Sequence, residues 1–146
     1  MRFLAVATGG CLGALSRYGM GQWFAPFVRD TGFPWGTLVI NLLGCFVLAL
    51  FLTVTVELLV VNPYLRLGFS TGFLGAFTTF STFTMESILL WQNGHIWYTA
   101  MYIFASVFLG IAMSSLGFIV TRGFAKIRAK QELSEADELV LEKRRG

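Results

Sequence analysis

Between Ser70 and Ser87 the chain reads STGFLGAFTTFSTFTMES, and hydroxyls, glycines and phenyl rings are interleaved there in a way that could handle an ion. Phe80, Phe83 and Glu86 or Ser87 recur every three to four residues, which places them on one helical face. An isolated FxxF is ordinarily core packing. Beside Thr79, Ser81, Thr82 and Thr84, however, the rings are hard to place in a dry core. Ring edges carry partial positive charge and hydroxyls donate hydrogen bonds, so this face could hold a small anion. Upstream, the glycines and threonines predict a broken helix. Carbonyls freed near Gly75 to Thr79 could hold a hard cation such as Na+ or Ca2+, while the amides opening the next half-helix would suit an anion.

Three other polar groups sit in otherwise apolar sequence. GTLVINLLG puts Thr37 and Asn41 one turn apart, and the Asn41 amide needs a partner there: another helix, water or a permeating ion. Arg17, in GGCLGALSRYGMGQ, either snorkels to an interface or faces an aqueous vestibule where its guanidinium attracts anions. Tyr102, Ser106 and Gly110 continue a hydrogen-bonding track at four-residue steps. The sequence shows no nucleophile triad, metal cluster or phosphate loop, so an enzyme is not expected. His95 reads as a solvated loop residue. Cys11 and Cys45, within apolar runs and with no CxxC, His or carboxylate at metal spacing, read as inert buried thiols.

The elements that position these residues must be membrane helices. Of 146 residues, 55% are hydrophobic and 13% charged, and mean hydropathy is +0.69. Four segments, 3–25, 35–61, 66–91 and 97–122, are long enough to cross the bilayer, which takes about 20 helical residues. The loops RDTGFP, VNPYLR and QNGH are short, so neighbours run antiparallel and both termini share one side. Trp23, Trp35, Trp91, Trp97 and Tyr98 fall at the expected interfaces. Glycine pairs Gly9/Gly13 and Gly68/Gly72 are spaced for close helix contact. Four such helices enclose little on their own, so a wide cavity needs a partner chain. Residues 123–146 form a charged tail, read as a helix leaving the membrane and fraying. That tail, with Arg122, holds +2 of the net +3. No basic stripe with interleaved aromatics exists outside it, which removes nucleic acid as a partner.

GGCLGALSRY, GTLVINLLG and GFLGAFTTFSTF, in that order on a four-helix chain, resemble the Fluc fluoride-channel family, also called the CrcB-type family. The resemblance covers residues 9 to about 110 and leaves the tail outside. It implies an antiparallel homodimer in the plasma (inner) membrane, with two narrow pores that passively export fluoride from the cytoplasm, and a structural Na+ at the dimer centre. By motif position it implies pore-lining roles for Asn41, Phe80, Ser81, Thr82, Phe83, Tyr102 and Ser106. It places Glu86 near a pore mouth, Arg17 in the vestibule, and the Na+ on the carbonyls of Gly75 and Thr78. Dual insertion calls for little charge bias, yet Arg2, Arg66, Arg122, Lys126, Arg128 and Lys130 gather on the terminal side against Arg29 opposite. Either late charges weigh little, or the chain pairs with an inverted partner chain. A proton-coupled small multidrug transporter is the main alternative, although the first helix lacks a midway carboxylate. A non-conducting scaffold subunit would leave the hydroxyl run unexplained.

Overall fold

The computed structural model describes residues 2–59 and 61–145, with side chains described as far as Gln131. Among the described residues every regular element is helical. They are α1 (Arg2–Thr31), α2 (Trp35–Glu57), α3 (Pro63–Leu67), a π-helical stretch Gly68–Leu74, α4 (Gly75–Phe77), α5 (Phe80–Gln92) and α6 (Ile96–Arg145). The stretches Trp35–Glu57, Pro63–Gln92 and Ile96–Gln131 are long and apolar enough to cross a membrane, with mean hydropathies of 2.5, 1.2 and 2.2. α1 is less apolar, carrying Arg17, Arg29 and Asp30, but at 30 residues it is ample for a span, and it packs in parallel along the third traverse. The chain therefore makes four traverses, the third interrupted.

Turn chemistry fixes the ends. Asn62 caps α3, its side-chain oxygen accepting from the Tyr64 amide at 2.9 Å, with Pro63 in the first turn where it forfeits no hydrogen bond. Gly32 and Gly94 close α1 and α5 at φ +70° and +79°, a left-handed conformation that a side chain disfavours, and the His95 amide returns to the Leu90 carbonyl at 2.9 Å. These turns sort the bundle into a loop end, with residues 32–34 and 93–95, and a terminal end, with the start of α1, residues 58–59 and residues 61–62. All four tryptophans lie toward the loop end.

The buried core is small. Phe33, Leu38, Leu90 and Tyr102 form one cluster, and Ile40, Leu74 and Phe77 another. Most large apolar side chains instead face outward, as lipid allows. α1 meets the third traverse through small residues: Gly9 and Gly13 lie against the backbone of Gly68 and Phe73, and Gly68 and Gly72 against Ala5 and Val6. A methyl on Gly72 would stand 2.7 Å from the Val6 carbonyl oxygen, whereas one on Gly110 would meet the Cys45 sulfur at an ordinary 3.7 Å. We expect Gly72→Ala to lower stability by about 1–3 kcal/mol and Gly110→Ala to be neutral or slightly stabilising, measured by thermal unfolding in detergent. Equal effects at the two sites would contradict this packing.

Three expectations need correction. Cys11 is exposed on the outer face of α1, and Cys45 is half-buried, so neither is a core thiol. α2 ends at Glu57 rather than near residue 61, where Asn62-Pro63 has already begun the next helix. α6 does not lose helical form after Arg122 but runs on as one helix through Arg145, with helix formers and no glycine or proline between Gly123 and Arg145.

Candidate ion pathway

The third traverse breaks at two residues. Thr78 (φ −76°, ψ 156°) and Thr79 (φ −146°, ψ 121°) are extended between α4 and α5. In an unbroken helix the Thr79 amide would donate to the Gly75 carbonyl. Here it donates to Asn41 Oδ1 at 2.9 Å, and Asn41 Nδ2 donates to the Thr79 carbonyl at 3.0 Å. One side chain from α2 thus replaces the missing helical bonds, and the Gly75 carbonyl loses its usual donor. Thr78 closes the upstream half, its amide and hydroxyl both donating to the Leu74 carbonyl at 3.0 and 2.8 Å. Thr79 opens the downstream half. Its Oγ1 accepts from the Thr82 amide at 3.2 Å and donates to Thr82 Oγ1 at 2.9 Å.

Two open cavities share the Thr79 turn. Toward the loop end, one of about 550 Å³ is lined by Arg17, Arg29, Thr37, Thr82 and Glu86. Glu86 is held at both oxygens, by Thr37 Oγ1 at 2.8 Å and by the Tyr102 hydroxyl at 2.7 Å. Tyr102 is fully buried and packs edge-on against Phe33, with centroids 5.6 Å apart. The second cavity, about 400 Å³, is a groove lined by Asn41, Gly75, Thr78, Phe80, Phe83 and Ser106 among others. Its chemistry is that of weak, short-range donors around ring edges. Phe80 is 79% exposed at the groove edge, with its ring centroid 5.8 Å from that of Phe83, which in turn lies 5.1 Å from Tyr102. Ser106 Oγ is the one buried side-chain polar atom among the described residues with no hydrogen-bond partner. A buried hydroxyl without a partner costs free energy, which sets Ser106 apart from the other hydroxyls of the bundle.

A family profile described as CrcB-like protein, Camphor Resistance (CrcB) matches residues 4–118. The chain belongs to the CrcB-like family. Curated relatives bear this out. The fluoride-specific ion channel FluC of Acidobacterium capsulatum is 44% identical over 120 residues, covering 82% of this chain and 95% of the relative. The protein of the same name from Saccharophagus degradans is 44% identical over 119 residues (82% and 88%), and that from Thermus thermophilus 42% over 117 (80% and 91%). These relatives are named as channels, not enzymes, in line with the expectation from the motifs. With four traverses and this family, the chain is a multi-pass membrane protein.

Every groove and cavity residue named above lies within the span matched to the CrcB-like family, and the last 28 residues lie beyond it. Of the residues singled out from the sequence, Asn41, Gly75, Thr78, Phe80, Phe83 and Ser106 come together at the groove. Arg17, Thr82 and Glu86 come together at the cationic cavity, while Tyr102 reaches it through Glu86. Ser81 lines neither cavity; it is exposed, with its hydroxyl 3.4 Å from Thr79 Oγ1. Three participants were missed. Thr79 stands in the sequence reading as a hydroxyl and as the end of the freed carbonyls, but not as the N-cap of α5, which a threonine immediately before FSTF signals. Thr37 carried a signal in its one-turn spacing from Asn41, and Arg29 was read as a loop charge.

Proposed function

We propose that this chain forms a passive fluoride-selective channel, two chains pairing antiparallel around two narrow pores, and that it exports fluoride from the cytoplasm. The observation that carries the reading is the groove itself. It adjoins a cationic cavity at the Thr79 turn that opens α5, is edged by Phe80 and Phe83, is lined by Ser106, whose hydroxyl has no partner among the described residues, and lies open on one side. Fluoride is small and a strong acceptor, so it suits close hydroxyl and amide donors and ring edges. None of these groups is a full charge, which keeps binding weak enough for the ion to leave. Arg17 and Arg29 gather the anion, and Thr82 and the second Asn41 amide hydrogen meet it at the turn. The family membership and the names of the relatives support the ion's identity. The open groove supports a second chain, and the inverted pairing rests on the family resemblance.

The same reading includes a structural Na+ between the paired chains. The donor set fits, because the Gly75 carbonyl has lost its helical donor, the Thr78 carbonyl lies on extended backbone, and Gly75 has no neighbour within 4 Å of the place a Cβ would fill. Two carbonyls from each chain would offer four oxygens to a hard cation on a two-fold axis. Bound there, the ion would tie the two broken helices together.

Fluoride efflux from liposomes loaded with the purified protein tests the reading. We expect fluoride to leave and chloride to be retained, with Phe80→Ala and Phe83→Ala each slowing fluoride. Equal loss of both halides, or wild-type flux in both variants, would overturn it. Uptake of a cationic dye driven by a pH gradient would instead favour a transporter.

A further inference from the structure

The terminal end of the bundle carries a chemistry that the ion pathway does not use. Arg2, Arg66, Lys126 and Lys130 are all exposed there. Glu57 is the single acid at that end among the described side chains, and it is already engaged by Arg122 through Nε at 3.1 Å and Nη2 at 2.8 Å. The cations are interleaved with large exposed apolar side chains: Phe3 (89%), Phe124 (67%) and Ile127 (59%). Between α1 and the end of α3 lies a cleft of about 330 Å³ whose walls are Phe3, Val6, Ala7 and Leu67, with Arg2 lining it as the one charged residue. Arg66 adjoins Leu67 in sequence.

We infer that this end is a docking surface for anionic phospholipid, with headgroups held by Arg2, Arg66, Lys126 and Lys130 and an acyl chain seated in the α1/α3 cleft. Depth supports it. With α2 ending at Glu57 and Arg122 paired to it, a rise of 1.5 Å per residue puts Lys126 about 6 Å and Lys130 about 12 Å beyond that pair, at headgroup level. On a helical wheel Arg122, Lys126 and Lys130 share one face, with Phe124 nearly opposite it and Ile127 at its flank beside Lys130. Charge selects the occupant, since a row of cations with no unpaired acid among the described side chains prefers an anionic headgroup to a zwitterionic one. The apolar cleft selects lipid over free phosphate, because it offers nothing polar beyond its Arg2 rim. The opposite end, with Arg29 beside Asp30 and the tryptophans, has no comparable row.

The test uses the full chain in bilayer discs containing equal phosphatidylglycerol and phosphatidylcholine, with retained lipid counted by native mass spectrometry. We expect phosphatidylglycerol to be enriched at least about threefold, and the quadruple variant Arg2→Gln, Arg66→Gln, Lys126→Gln, Lys130→Gln to fall to the bulk ratio. No preference in the wild type, or an undiminished preference in a folded variant, overturns the proposal. A second measurement needs only the wild type: phosphatidylglycerol should raise its melting temperature more than phosphatidylcholine does, and about 0.5 M salt should shrink that difference. A salt-insensitive difference, or one reproduced by inorganic phosphate, overturns it equally.

Discussion

Asn41→Ala is expected to abolish fluoride efflux and to destabilise the protein at the same time. The alanine leaves the Thr79 amide and carbonyl without the partners they have at 2.9 and 3.0 Å, and Thr79 is buried. Each unsatisfied buried group costs about 1–3 kcal/mol, so a loss of roughly 2–6 kcal/mol follows for the two. The functional loss follows from the same geometry, because the Thr79 turn borders both the cationic cavity and the groove. Thermal unfolding and liposome efflux, run on the same preparation, check both halves. Wild-type melting together with wild-type flux would show that the Asn41 clamp is not what holds the turn.

Ser106→Ala is expected to separate those two effects. Its hydroxyl has no partner among the described residues, so removing it breaks no hydrogen bond there and should leave the melting temperature unchanged or slightly higher. If the hydroxyl meets the permeating anion, the loss is that of one hydrogen bond to a charged species, about 1.5–3 kcal/mol, or roughly tenfold to a hundredfold in flux when it is felt at the barrier. A fall in stability without a change in flux would mean that Ser106 is satisfied by a packing partner rather than an ion. The contrast between the two variants is more informative than either alone, since damage to folding cannot mimic a loss of flux at constant stability.

How much of this was legible in the sequence depends on how far apart the interacting residues lie. The break was legible because hydroxyls and glycines crowd Ser70 to Thr84, where a lipid-facing helix would not keep them. Its extent was less so: freed carbonyls were expected from Gly75 to Thr79, and the Gly75 carbonyl has indeed lost its helical donor, but the Thr79 carbonyl is taken. The difference comes from Asn41, whose amide captures the Thr79 backbone across 38 positions of sequence. Asn41 was recognisable as a group needing a partner, but not which partner. The hold on Glu86 was illegible for the same reason, since Thr37 lies 49 positions away and Tyr102 lies 16. Apolar patterning found the four traverses, and the expectation that they enclose little on their own fits the small buried core, because in lipid an apolar residue need not face inward to be satisfied.

The placement of the tryptophans and the cations has one more consequence. A single chain is polar along the membrane normal, with aromatic anchors at the loop end and Arg2, Arg66, Lys126 and Lys130 at the other. Voltage across the bilayer would therefore act on a lone chain as on a vector, favouring one orientation. In the proposed antiparallel pair the two vectors would cancel, so each leaflet would meet one aromatic end and one cationic end, and the field would exert no net torque on the pair.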